Sequence, residues 1–303
     1  MSKLILEGIF PAFPTPTTTA GAVDLPALRN LLAYLLDNGV SGLVPIGGTG
    51  EFTALSPAAR LIVVKETVAI AGGRVPVMPG VLCPGFAEAA EAGASYRDAG
   101  ADALMLITPF YAVPTQTGIR EYFASYRARV DLPLLLYEIP TRTRVVVEPG
   151  TVRAIVDDGS IIGMKACNPD INHFNHVAAL VADRIALLSG EDTHFPAHMA
   201  LGAKGGVLAT AALAPRYWME VYALAKAGQV AAAVDAQRRM LPLIDAIFAE
   251  PNPGPLKAAL KLMGLQVGDV LSPLQPPDAA SLARLSDIVR SMQALGILPP
   301  ARG

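Results

Sequence analysis

Eight short apolar runs separated by stretches long enough to hold a helix each constrain the fold of this 303-residue chain most strongly. They are Gly8–Pro14, Gly42–Gly47, Val75–Leu82, Ala103–Pro109, Leu132–Ile139, Ile161–Lys165, Ile185–Gly190 and Gly205–Thr210. Each is nearly continuous in apolar character rather than alternating, as parallel strands buried on both faces are. The spacers include Pro57–Ala71 and Phe86–Gly100, and Gly39 and Gly100 stand where helices should stop. Eight strand–helix repeats predict an α/β fold, a (β/α)8 barrel. A doubly wound sheet would show fewer strands and a phosphate-binding glycine signature after the first; neither GxGxxG nor GxxxxGK[ST] occurs. Beyond Thr210 the segments Pro215–Ala249, Pro255–Gly264 and Asp278–Gly296 read as helices. A barrel domain over residues 1–213 and a helical extension over 214–303 are therefore expected, with no flexible linker between them.

Hydrophobic residues at 52% against 17% charged exclude a disordered chain, and a net charge of −2 offers no footprint for nucleic acid or an anionic membrane. The longest uncharged stretch, Ala103–Ile119, is interrupted by Pro109 and Pro114 and cannot span a bilayer. The start, Met1-Ser2-Lys3-Leu4, has no h-region with a small-residue cleavage site, so no leader is expected. Cys83 and Cys167 fit a reducing compartment. A cytoplasmic enzyme acting on a small molecule is expected.

Active sites of such barrels lie at the C-terminal strand ends. Lys165 closes the sixth run, which holds no other charge. Burial there should lower its pKa and leave a neutral amine, a nucleophile towards a ketone. The resulting imine is itself an electron sink, so no cofactor and no metal are required. A structural lysine reaching out to solvent is the other reading of the same residue. Tyr137 ends the preceding run and should share the rim, where a phenol can shuttle protons. Gly47-Gly48-Thr49-Gly50-Glu51 is a turn whose amides, with the Thr49 hydroxyl, suit a small carboxylate; Glu51 can brace it. Arg142, in the loop after the fifth run, can take a second carboxylate in a bidentate fork. His194/His198 and His173/His176 have helical spacing but lack the HExxH pattern. Cys167 reads as a small buried residue, and Tyr217, Trp218 and Tyr222 as helix packing.

These residues together resemble the dihydrodipicolinate synthase / N-acetylneuraminate lyase family of Schiff-base aldolases, over nearly the whole chain. The turn Gly47–Glu51 is similar to its GxxGE loop, Tyr137-Glu138-Ile139-Pro140 to its YNxP strand end, Gly163-Met164-Lys165 to its G-x-K strand, and Ser189-Gly190-Glu191-Asp192 to its SGDD turn. The resemblance implies that Lys165 forms the imine with pyruvate or another 2-keto acid and that Tyr137 transfers protons. It further implies that Gly48, Thr49, Gly190 and Val207 surround the keto acid, and that Tyr111 enters a neighbouring subunit's site within a homotetramer. Pro140-Thr141-Arg142-Thr143 is similar to the synthase branch, where the arginine grips aspartate semialdehyde. Gly48 departs from that branch, which has a threonine bridging two tyrosines in a proton relay. Gly47 to Phe52 resembles instead the loop of 5-keto-4-deoxyglucarate dehydratases, so a 2-keto-3-deoxy sugar acid aldolase or dehydratase stays open. A non-catalytic keto-acid-binding homologue and a metal-dependent barrel enzyme are the further alternatives. Phe52, Arg60 and Phe110 depart from the feedback pocket of lysine-sensitive synthases, which implies no strong inhibition by lysine.

Overall fold

The computed structural model describes residues 4–301. The expectation of no leader at Met1–Lys3 concerns residues outside that range, as do the outermost ends of the two expected domains.

Seven strands form one parallel sheet: β1 (Gly8–Pro11), β2 (Gly80–Val81), β3 (Leu104–Ile107), β4 (Leu134–Glu138), β5 (Gly163–Ala166), β6 (Ala186–Ser189) and β7 (Gly205–Leu208). Their order is β1-β7-β6-β5-β4-β3-β2. The remaining gap is filled by the second apolar run. Leu43 bridges Val77, just ahead of β2, and Val44 bridges Ala12, just after β1, both in parallel sense. The eight predicted runs are thus the eight staves of a closed barrel. Two of them are barely strands, for the same reason. Pro45 in the second run, and Pro76 and Pro79 in the third, supply no N–H to a ladder. Gly42 leaves room for the Phe10 ring, which would lie 2.5 Å from any Cβ placed there.

Helices α1 (Leu25–Asp37), α2 (Pro57–Ala71), α3 (Phe86–Asp98), α4 (Gln116–Val130), α5 (Pro140–Thr143), α6 (Pro149–Asp157), α7 (Ile171–Val181) and α8 (Phe195–Ala200) follow the successive staves. Caps set several of their starts: Asp24, Ser56, Thr115 and Asp170 each accept a first-turn N–H. Gly39 and Gly100 take positive φ just beyond α1 and α3, as expected.

The C-terminal part comprises α9 (Pro215–Lys226), α10 (Val230–Phe248), α11 (Gly254–Leu262) and α12 (Ala279–Ala294). The expected helix over 215–249 is two helices, because Gly228 at φ 75° turns the chain between them. Helix α9 packs on β1, and α10 on α8. The barrel interior is filled by residues such as Phe10, Met105, Leu135 and Leu188, all essentially inaccessible. Among the described residues no helix is long and apolar enough to cross a membrane.

Candidate active site

A cavity of about 390 Å³ opens at the C-terminal strand ends. Lys165 and Tyr137 reach it from paired positions of β5 and β4. The Lys165 Nζ lies 4.5 Å from the centre of the Tyr137 ring. Both side chains are buried, at 7% and 4% exposure. Gly48, Thr49, Arg142, Gly190 and Val207 line the same cavity, so of the eight predicted site residues seven are brought together. The eighth, Tyr111, is 95% exposed at φ 72° and does not reach this cavity within its own chain.

The glycine turn is held rigidly. Thr15 donates its hydroxyl to the Gly50 carbonyl at 2.7 Å, and the amides of Glu51 and Phe52 bond back to Gly48 and Gly47. The Thr49 and Gly50 amides donate to no group among the described residues. Thr49 Oγ1 accepts a hydrogen bond from Asn252 Nδ2 at 2.9 Å, which leaves its own proton to give. Glu51, at φ 58°, braces the turn from below. Its Oε2 sits 2.6 Å from Lys257 Nζ, both side chains fully buried, and its Oε1 accepts the Leu271 N–H at 2.6 Å. The turn is thereby fastened to α11 and to the segment after it. Burial pulls the Lys257 pKa down, although the Glu51 charge opposes this.

Gly48 shapes the opposite corner. A Cβ there would lie 3.4 Å from Arg142 Nη1 and 4.0 Å from the Tyr137 hydroxyl. Arg142, on α5, has no acidic partner among the described residues; its guanidinium is available to an anion. Gly190 is also required to be small: a Cβ would lie 2.0 Å from Cys167 Sγ and 3.1 Å from Lys165 Cε.

Desolvation is the strongest single influence on Lys165 and pulls its pKa down. Tyr137, Cys167, Asp192 and Glu191 together pull it up, and the net direction is upward. This corrects the expectation of an amine made neutral by an apolar mouth alone: Tyr137 first, then Cys167, Asp192 and Glu191, outweigh the desolvation. Tyr137 is pushed up as well, mainly by burial. The two titrate as a pair. One proton lost from it leaves either ammonium beside phenolate or amine beside phenol, and the second form carries the nucleophile. Cys167 is pushed up to about 12 by burial, so it stays a thiol.

Several cavity residues were given no site role by the sequence: Glu191 and Asp192 stood there only as part of a turn motif. Cys167, recognised only as buried, lies just past β5 and shares the side of Lys165 by the two-residue period. Asp192 is tied down by the Ala209 and Thr210 amides and the Thr210 hydroxyl. Glu191 has no such ties and is pushed up to about 7, chiefly by burial. Ile244, Asp245 and Phe248 of α10 form the outer wall, a contribution from distant sequence that no local motif signals.

His173 and His198 serve bracing and packing, and His176 is exposed. His173 Nε2 lies 3.2 Å from Glu138 Oε2. His198 is stacked on Phe174 at 3.8 Å with its Nδ1 2.8 Å from Ser189 Oγ, and His194 precedes α8 rather than lying within it. No group of three or more potential metal ligands exists among the described residues. Trp218 donates to Thr210 Oγ1 and Tyr217 to the Ala236 carbonyl, as helix packing residues.

The dihydrodipicolinate synthetase family model matches residues 5–292. A 4-hydroxy-tetrahydrodipicolinate synthase of Anaeromyxobacter sp. (strain K) is 36% identical over 283 residues, covering 93% of this chain and 96% of its own. One from Methanocaldococcus jannaschii is 36% identical over 272 residues, covering 89% and 93%. The crystal structure of the chloride-inhibited dihydrodipicolinate synthase from Acinetobacter baumannii, complexed with pyruvate, superposes with a TM-score of 0.92 at 31% identity, covering 97% of this chain and 100% of that one.

Proposed function

The chain belongs to the dihydrodipicolinate synthetase family, whose members are class I aldolase-type lyases and synthases, and from that premise we propose that it condenses pyruvate with aspartate semialdehyde through an imine on Lys165. The observation that carries the reading is the register pairing of Lys165 with Tyr137 inside one cavity. The Lys165 amine attacks C2 of pyruvate, and water leaves as the imine forms. Loss of a C3 proton gives the enamine, whose C3 attacks the aldehyde carbon. Tyr137 gives its proton to the carbinolamine, takes up the C3 proton as phenolate and returns it to the new alkoxide, and attack of the adduct's own amine on the imine carbon frees Lys165. The Thr49 hydroxyl and the free Thr49 and Gly50 amides hold the pyruvate carboxylate, with Gly190 and Val207 as the walls around it. Arg142 takes the carboxylate of the aldehyde substrate.

Gly48 supports a second reading. Gly48 brings no hydroxyl to the corner beside the Tyr137 phenol. A substrate bringing its own hydroxyl, such as a 2-keto-3-deoxy sugar acid undergoing cleavage or dehydration, would fill the gap between Tyr137 and Arg142. Tyr111 completes the site of a neighbouring copy in a homotetramer, and the enzyme acts in the cytoplasm.

Turnover of pyruvate plus aspartate semialdehyde, measured beside 2-keto-3-deoxy sugar acids, separates the two readings. The first predicts a kcat/KM at least roughly tenfold higher for the amino aldehyde pair, about 1.4 kcal/mol of preference. A preference for the sugar acid would install the second. No turnover with either, alongside imine formation, would leave a keto-acid-binding protein.

A further inference from the structure

The side chain after Tyr137 on β4 is the carboxylate of Glu138, which has no exposure to solvent. A carboxylate buried to that degree is costly unless it is paired and hydrogen-bonded. Glu138 has two partners. Its Oε1 accepts the Val147 N–H at 3.0 Å, and its Oε2 meets His173 Nε2 of α7 at 3.2 Å. The hydrogen bond to Glu138 pushes the His173 pKa up, helped by the charges of Glu138 and Asp170, so the imidazolium is the form that balances the buried charge.

Val147 lies on the far side of the excursion that carries Arg142. The chain leaves β4 at Ile139, makes the single turn of α5, and returns at Val147, so one carboxylate ties the two ends of the Arg142 segment together. Within it, Thr143 Oγ1 donates to the Ile139 carbonyl at 3.0 Å and accepts from the Val145 amide at 3.2 Å. Gln116 holds the outer side through the Val146 carbonyl and the Glu148 amide. The inner side depends on Glu138, and Glu138 depends on His173.

We propose that Glu138 and His173 are positioning residues: the pair fixes the Arg142 loop and thereby sets how tightly the carboxylate of the second substrate is held, without entering the chemistry at Lys165. The proposal rests on the reading of Arg142 as the carboxylate grip.

The test is a double-mutant cycle with an independent structural readout. His173→Phe and His173→Gln are made alone and in an Arg142→Ala background, and KM for the aldehyde, kcat and hydrogen exchange of the Val147 amide are measured. His173→Phe should raise the aldehyde KM roughly tenfold, change kcat less than about twofold, and speed Val147 exchange about tenfold or more. His173→Gln, which keeps an N–H donor, should restore most of both. In the Arg142→Ala background His173→Phe should add nothing to KM. An equal KM rise in both backgrounds, or unchanged Val147 exchange, overturns the proposal. An Arg142→Ala enzyme with unaltered KM refutes the carboxylate grip instead, and Val147 exchange still decides whether the pair braces the loop.

Discussion

Tyr137 and Lys165 are directly paired residues of adjacent parallel strands, and their side chains meet with the amine 4.5 Å from the ring centre. Strand pairing holds this geometry before any ligand arrives, so neither group has to search for the other. Preorganisation of this kind removes an entropic cost from each proton transfer.

Removing the phenol should therefore hurt chemistry more than binding. Tyr137→Phe keeps the ring under the amine and is expected to lower kcat by about 10²–10³, the usual worth of a positioned proton donor. Pyruvate KM should move by less than about threefold. A kcat within a factor of two of wild type would remove Tyr137 from the mechanism.

Arg142 has no acidic partner among the described residues, so its truncation leaves no orphaned carboxylate and should not perturb the fold. Arg142→Ala is expected to raise the aldehyde KM by at least about thirtyfold, roughly 2 kcal/mol for one lost charge-assisted contact. Pyruvate KM should stay the same.

The Lys257–Glu51 pair is a stability element. Lys257→Ala strands a buried carboxylate, at a cost of about 3–5 kcal/mol. Tm should fall by roughly 10 °C, at about 2–4 °C per kcal/mol for a domain of this class. Differential scanning calorimetry checks this, and a Tm within about 2 °C of wild type would contradict it.

His198 gives the fold an acid-sensitive point. Burial pushes its pKa down to about 3, so it is neutral in the folded chain. The unfolded chain takes up a proton below the ordinary value of about 6.5. The stability it contributes is full above that value and is lost as pH falls towards about 3. Denaturant midpoints measured from pH 7 down to 4 should decline in wild type, and less steeply in His198→Phe.

Arg60 is stacked 3.7 Å from the Phe52 ring centre, and its Nε donates to the Phe52 and Leu55 carbonyls at 2.9 Å each. Arg60 also borders a cavity of about 260 Å³ with Glu88 and Tyr96, where its guanidinium disfavours a second cation. Lysine at millimolar concentration should leave turnover unchanged, and a micromolar inhibition constant would contradict that.

The barrel was legible in the sequence because buried parallel staves are written as apolar runs of constant spacing, and the run ending at Lys165 shows a charge only where the strand meets the cavity. Strand lengths were less legible: Pro45, Pro76 and Pro79 lie inside runs that composition alone presents as uniform. The glycine turn, Tyr137 and Arg142 were visible as strand-end motifs. The pKa balance of Lys165 was not, because it turns on how closely Tyr137, then Cys167, and then Asp192 and Glu191 of the next stave pack around the buried amine. Nor was the Phe248 wall, which α10 brings back from beyond the barrel strands.

Borohydride reduction in the presence of pyruvate, read by intact mass and peptide mapping, bears most directly on the imine. A single stable pyruvate adduct on the peptide containing Lys165, abolished in Lys165→Ala, is the predicted result. No adduct with pyruvate or any other 2-keto acid, or an adduct on a different lysine, would contradict it.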